Sequence, residues 1–135
     1  MTNWDVGLHP DLISKINAVL VVMSKAGSPM FVTQGLRTVA QQQGLYAQGR
    51  TVKGPIVTNC DGVKIKSNHQ AQADGYGHAV DCAFVGVEPF SESHNWALYC
   101  DAVRDHGLIS GADFKTLVDR PHAELPRNYR PELVA

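Results

Sequence analysis

His69, Asp74, His78 and Asp81 fall within one stretch, Ser67 to Asp81, which reads SNHQAQADGYGHAVD. It is too polar and glycine-bearing for a helix, and it runs into the apolar alternation Ala79 to Phe84 of a strand. Imidazoles and carboxylates at this density can bind a divalent metal. A second histidine-bearing stretch near the C-terminus, Asp119-Arg-Pro-His122, can complete the site. A catalytic zinc takes three protein ligands and leaves a fourth position for water. His69, Asp81 and His122 can supply that set. Asp119, three residues before His122, can accept a proton from the water whose pKa zinc brings from ~15.7 towards ~7. Asp74 and His78 compete for the same role. Asp74-Gly75 reads as a turn, and His78, just before the strand, points with Val80 and away from Asp81. That favours Asp81 over His78, provided Asp81 faces the site. Spacing alone is a weak signal, because six histidines and 13 acidic residues produce such arrangements by chance. His9, at a helix start, reads as structural. His94 and His106 read as solvated, with His106 placed to complement a helix C-terminus.

The elements that must position these groups can be read from periodicity. Leu12, Ile13, Ile16, Val19, Leu20 and Met23 recur at helical steps behind Pro10 and stop at Ala26-Gly27, which predicts a core-facing helix. Met30 to Thr33 reads as a short strand leading into Gln34-Gly-Leu-Arg37-Thr38. Thr38 and Gln41 form a capping box for a helix to about Ala47, with Val39, Gln42, Leu45 and Tyr46 on one face. Arg37 then stands at a strand-to-helix junction, where rigid elements present functional side chains. From Gln48 to Tyr76, glycines, Pro55, asparagines and aspartates punctuate a long stretch with strand fragments only at Ile56-Val57-Thr58 and Val63-Lys64-Ile65. It carries aromatic, imidazole and carboxylate groups, so it reads as an ordered loop lining a site. A strand over 79 to 85 follows, then a helix from a Ser91 cap to Gly107, and a last short strand from about His122 to Leu125. The tail from Pro126, with Pro131, is expected on the surface.

The chain of 135 residues is read as one domain, 1–135, with an α+β fold: a small antiparallel sheet with flanking helices and a metal site. Its 12 basic and 13 acidic residues leave no charge excess that would select nucleic acid. No apolar run approaches the ~20 residues of a membrane span. The N-terminus lacks a basic region followed by an apolar one, so the expectation is a soluble protein made in the cytoplasm without a signal peptide. Cys60, Cys82 and Cys100 are odd in number and widely spaced, and are expected to be reduced, the last two as packing residues.

Four motifs in succession carry a family resemblance. They are Gln34-Gly-Leu-Arg37-Thr38, Ser67-x-His69, Gly77-x-Ala79-Val80-Asp81, and Gly111-x-Asp113-Phe114 with Asp119-x-x-His122-x-Glu124-Leu125. Together they resemble the zinc D-Ala-D-Ala carboxypeptidase and L-alanyl-D-glutamate endopeptidase family, the VanY-like peptidases, and most of all its phage endolysin branch. The resemblance runs from His9 to Leu125. It implies that His69, Asp81 and His122 bind zinc, that Asp119 is the catalytic acid and base, and that Arg37 binds substrate and steadies charge at the scissile carbonyl. Ser67 matches a serine near the substrate carboxylate.

The implied function is a zinc-dependent hydrolase of peptidoglycan stem peptides, foremost an L-Ala-D-Glu endopeptidase acting on the wall after release from the host cytoplasm. The alternatives are a D-Ala-D-Ala carboxypeptidase and a non-catalytic wall-binding domain with a structural zinc. A monomer is the simplest assembly, with the stem peptide as partner. Two departures from the family pattern stand out. Eleven residues separate His69 from Asp81, more than is usual, so Gln70 to Tyr76 contains an insertion. Gln34 also replaces a serine that many relatives carry.

Overall fold

The computed structural model describes residues 3–129. A first helix α1, Pro10–Lys25, is followed by strand β1, Met30–Gln34, and helix α2, Val39–Ala47. After the long loop come strand β2, Ala79–Phe84, and helix α3, Trp96–Asp105, then strand β3, Ile109–Ser110, a single 3-10 turn at Gly111–Asp113, and strand β4, His122–Glu124. The four strands form one antiparallel sheet in the order β1-β2-β4-β3. The fold is a single compact α+β domain over the described residues.

Alternation along the strands decides which side chains reach the core. Met30 and Val32 of β1, Val80, Cys82 and Phe84 of β2, and Ala123 of β4 join Leu12, Ile16, Val19 and Met23 of α1 and Tyr99, Cys100 and Val103 of α3 in one apolar cluster. Side chains one position out of phase point to the opposite face, and these include Asp81, His122 and Glu124. The helices therefore cover one face of the sheet and leave the other for chemistry. Cys82 and Cys100 are buried free thiols, and burial pushes the Cys82 thiol up to about 12, as befits a packing residue. No helix among the described residues is long and apolar enough to cross a membrane.

Most expected elements form, and the departures have local causes. Ile56 to Thr58 and Val63 to Ile65 are not strands. Asp61 Oδ1 accepts the backbone N–H groups of Val63, Lys64 and Ile65 at 2.9–3.0 Å, so donors that would enter a ladder are taken by a side chain. The third helix begins at Trp96, not at Ser91. Its cap is Asn95, whose side chain accepts from Leu98 N, while the Ser91 carbonyl accepts from the indole of Trp96. The capping box of Thr38 and Gln41 is present on α2, and on the expected face Gln42 is fully buried, Leu45 and Tyr46 are partly buried and Val39 is exposed. The final strand ends at Glu124, one residue short of Leu125. Pro131 of the expected surface tail lies outside the described residues.

The loop from Gln48 to Tyr76 is ordered by buried amides rather than by strands. Gln70 Nε2 donates to the Gly62 carbonyl at 3.0 Å, and its Oε1 accepts from Ser67 N at 3.0 Å. Residues 71–77 fold as a tight turn. Gln72 N donates to Tyr76 O, Gly75 N donates to Gln72 O, and Ala71 bridges Gly77 across the neck. The extra length therefore leaves its two ends adjacent.

Candidate metal centre and groove

Cross-strand register brings the first two polar groups of the site together. Asp81 of β2 and His122 of β4 are direct partners on the face that the helices do not cover. His69 arrives from the loop and is pinned at both ends: its carbonyl accepts from Arg37 N at 2.8 Å, and the neighbouring Asn68 carbonyl accepts from His78 N at 2.7 Å. A register shift between Val32 and Gln34 sets Gln34 opposite Asp81. The next residue, Gly35, offers its carbonyl to His69 Nδ1 at 3.0 Å.

Asp81 Oδ1 lies 3.4 Å from His69 Nε2 and 3.3 Å from His122 Nδ1, and the three ligand atoms fall within 4.8 Å of one another. That oxygen is buried and accepts no hydrogen bond among the described residues. Ligand atoms placed tetrahedrally at the ~2.0–2.2 Å typical of zinc stand roughly 3.4 Å apart, so the spacing suits such an ion. The remaining ring nitrogens are also accounted for. His69 Nδ1 faces the Gly35 carbonyl, and His122 Nε2 faces Glu124 Oε1 at 2.6 Å, which leaves His69 Nε2 and His122 Nδ1 as the lone-pair atoms turned towards Asp81. Among the described residues no fourth His, Cys, Asp or Glu joins the group. A metal held here would keep an open position.

Asp119 and Arg37 stand beside this group. The turn carrying Asp119 is fixed from several sides. Asp119 N donates to Gly111 O at 2.9 Å, His122 N donates to Asp119 O at 3.1 Å, and the Pro121 carbonyl accepts from Tyr99 Oη at 2.7 Å and Cys82 N at 3.0 Å. Gly111 is obligatory for this packing, since a Cβ there would stand 2.0 Å from the Asp119 carbonyl oxygen. The Asp119 carboxyl is half-buried. Burial and the nearby Asp81 push its pKa up, against the opposing pull of His122, His69 and Arg37. Arg37 sits at the junction of β1 and α2, with Nη2 at 3.8 Å from Asp81 Oδ2. Ser67 Oγ accepts from His69 N at 3.2 Å, so this side chain helps set the His69 turn as well as facing the groove.

The groove has a volume of about 1090 Å³ and is walled by the loop around Thr58 to Ser67 on one side and by Phe114 to Leu117 on the other, with Asp119 and His122 between them. Asp74 and His78 also line the groove but pair with each other, outside the metal-ligand group. His78 Nε2 contacts Asp74 Oδ2 at 2.7 Å, and His9 lies 4.0 Å from the same oxygen. His9 also caps α1 by accepting from Asp11 N. His106 contacts the Ala102 carbonyl at the end of α3, and His94 stacks on Phe84.

No protein-family model matches the sequence. The chain is 28% identical over 125 residues to the peptidoglycan L-alanyl-D-glutamate endopeptidase CwlK of Bacillus subtilis, covering 90% of this chain and 75% of that protein. The structure of the Serratia marcescens L-Ala D-Glu endopeptidase ChiX superposes with a TM-score of 0.56 at 26% identity, covering 89% of this chain and 81% of that one. The D,D-pentapeptidase VanY in complex with Zn(II) shares the fold, with a TM-score of 0.59 at 16% identity over 87% of this chain and 72% of its own. In sequence the chain is similar to peptidoglycan L-Ala-D-Glu endopeptidases, and in fold to VanY-like peptidoglycan peptidases.

One feature of this VanY-like chain is not visible as a function in its motifs. Glu124 is buried and bridges His122 Nε2, at 2.6 Å, and Asn68 Nδ2, at 2.7 Å. An alternating strand that places two polar groups, His122 and Glu124, on one face was the available signal. Glu124→Gln should weaken metal affinity by about 10–100-fold, because an amide cannot hold the imidazole as a carboxylate does. Competition titration against a metal chelator measures it, and an unchanged affinity would remove Glu124 from the centre.

The same neighbours make the metal-free protein sensitive to pH. Burial opposes protonation of His122, yet Asp81 and Glu124 outweigh it and raise its pKa from 6.5 to about 9. Burial likewise works against an ionised Asp81, but the imidazoles of His122 and His69 hold its pKa below 3.8. A raised histidine contributes stability that is fully present below its unfolded value and lost as pH rises through the folded one. A depressed carboxylate contributes above its unfolded value and loses the contribution as pH falls. Thermal unfolding in chelator should therefore show this contribution intact between pH 3.8 and 6.5 and declining towards pH 9. A melting temperature that climbs from pH 6.5 to 9 would contradict it.

Proposed function

We propose that the chain is a zinc-dependent endopeptidase that cuts peptidoglycan stem peptides between L-Ala and D-Glu, working as a monomeric endolysin that reaches the wall after release from a host cytoplasm. The observation that carries this reading is the three-ligand group of His69, Asp81 and His122, open on the groove side, with Asp119 and Arg37 beside it. A closed structural site would use a fourth protein ligand, which weighs against a non-catalytic wall-binding role. Two relatives above 25% identity, CwlK and ChiX, are named as L-Ala-D-Glu endopeptidases, which favours that bond over D-Ala-D-Ala. Lys64, Lys66, Lys115 and Arg127, which line the groove, suit the carboxylates of a stem peptide.

A zinc ion held by His69, Asp81 and His122 would polarise the scissile carbonyl and make water nucleophilic near neutral pH. Asp119 accepts the proton of the attacking water as the new C–O bond forms. Its environment raises its pKa and so makes it a better base than an exposed aspartate. Arg37, held cationic by its guanidinium chemistry, faces the negative charge that develops on the carbonyl oxygen. Asp119 then returns the proton to the departing amine of D-Glu as the C–N bond breaks. Ser67, exposed to the groove, binds the substrate carboxylate.

Digestion of purified peptidoglycan, with identification of the new termini and with metal analysis before and after chelation, tests the proposal. The expected products carry a new D-Glu amine, and chelation abolishes them. Free D-Ala without a new D-Glu amine would instead make the chain a carboxypeptidase, and binding without cleavage would leave the wall-binding reading.

A further inference from the structure

The buried polar residue of α2 has a task that its helix does not explain. Gln42 is fully buried, and each end of its side-chain amide has partners. Its Oε1 accepts from Arg37 Nη1 at 2.8 Å. Its Nε2 donates to the Cys60 carbonyl at 2.9 Å and to Thr58 Oγ1 at 3.3 Å, and Cys60 N in turn donates to that same hydroxyl at 3.1 Å. An amide nitrogen can only donate and its oxygen only accept, so the three partners fix which way the group points. The loop closes tightly against it. A Cβ at Gly62 would stand 3.1 Å from Gln42 Cβ, and Gly62 has φ +90°, a conformation that suits glycine.

Arg37 needs such a hold. Its Nε is buried and has no hydrogen-bond partner among the described residues, and Nη2 is 3.8 Å from Asp81 Oδ2, beyond a hydrogen bond. A buried N–H without a partner is uncommon and persists where something fixes the group that carries it. Gln42 supplies the one short hydrogen bond that the structure gives this guanidinium among the described residues. Because the same amide also holds Thr58 and Cys60, which line the groove, the orientation of Arg37 and the position of the groove wall depend on one side chain.

We propose that Gln42 is a positioning residue that fixes the Arg37 guanidinium towards the metal-ligand face and couples it to the 58–62 wall of the groove. The inference rests on the function proposed above, in which Arg37 meets the substrate. It predicts that Gln42→Met, close in length but without hydrogen bonds, lowers kcat/KM on peptidoglycan fragments by about 10²-fold, mostly through kcat, with metal content unchanged.

A double-mutant cycle separates positioning from simple support of the fold. In an Arg37→Met background, Gln42→Met should change cleavage little while still lowering the melting temperature. Gln42→Glu, which keeps an acceptor for Arg37 and loses the donation to Cys60, should retain kcat better than Gln42→Met. It serves as the test if the methionine variant does not fold. Nitrogen-15 NMR of the Arg37 side chain in the wild-type protein gives a readout independent of activity, with slow guanidinium rotation and separate Nη signals expected. Effects of Gln42→Met and Arg37→Met that multiply in the double variant, equal losses in Gln42→Glu and Gln42→Met, or freely averaging Nη signals in the wild type would overturn the proposal. Wild-type protein that cleaves no peptidoglycan peptide would instead sink the proposed function, while separate Nη signals would still report the hold on Arg37.

Discussion

Asp119→Ala is expected to reduce peptide cleavage by about 10³-fold while the protein keeps its metal. Both halves follow from position. Asp119 stands beside the His69, Asp81 and His122 group and is not part of it, so its removal leaves every ligand in place. Its carboxyl also has a raised pKa, through burial and the charge of Asp81, as a proton acceptor needs. Cleavage by the wild type should fall on the acid side as that carboxyl becomes protonated, at a pH above the ordinary aspartate value of 3.8. The variant should lack this limb in whatever residual activity it keeps. The checks are kcat/KM against pH together with metal content by elemental analysis. Loss of metal from the variant would mean that Asp119 is a ligand, and wild-type-like turnover would mean that another group moves the proton.

His122→Ala should abolish both metal binding and activity, and it should lower stability more than a surface substitution does. The imidazole is buried between two carboxylates, Asp81 at 3.3 Å and Glu124 at 2.6 Å, in the sheet beside Ala123 of the core. Removing it takes the shared imidazole from Asp81 Oδ1 and Glu124 Oε1, and an unsatisfied buried polar group costs about 1–3 kcal/mol. A ligand that binds only the folded state adds stability by mass action, about 2.7 kcal/mol at a hundred times its dissociation constant. Thermal unfolding with added zinc and with chelator should therefore differ for the wild type and coincide for His122→Ala. A zinc-dependent melting temperature in His122→Ala would show that a site survives without it.

The site's support is as informative as its ligands. His69 and His122 each have their second nitrogen engaged, one by a backbone carbonyl and one by a buried carboxylate, so both rings are oriented before any metal arrives. A preorganised donor set loses little freedom on binding. The same economy holds around the groove, where Gln42 and Gln70 hold a strandless loop in place by side-chain amides.

Much of this was legible in the residues. The stripe of α1, the capping box of α2 and the alternation of β2 are local patterns set by covalent periodicity, and they appear where the sequence puts them. The ordered run of motifs likewise pointed to His69, Asp81, His122, Asp119 and Arg37 as one constellation. Local pattern failed where a tertiary partner decided the outcome. Val63 to Ile65 have strand-forming side chains, but a strand needs a neighbouring ladder, and Asp61 offered their N–H groups a nearer acceptor. Gln42 shares a face with Val39, Leu45 and Tyr46, and only the packing of α2 against the 58–62 loop makes its amide the fully buried group.

The stretch from Ser67 to Asp81 divides the same way. Its residue types alone determined that it could bind metal, because imidazole and carboxylate chemistry does not depend on the fold. Which of its four candidates meet was decided in three dimensions. The turn at 71–77 pairs Asp74 with His78 and His9, and the register of β2 against β4 places Asp81 opposite His122. Spacing along a chain does not set distance in space when a loop can close on itself, and only the hydrogen-bonded register of the sheet fixes which face each side chain takes.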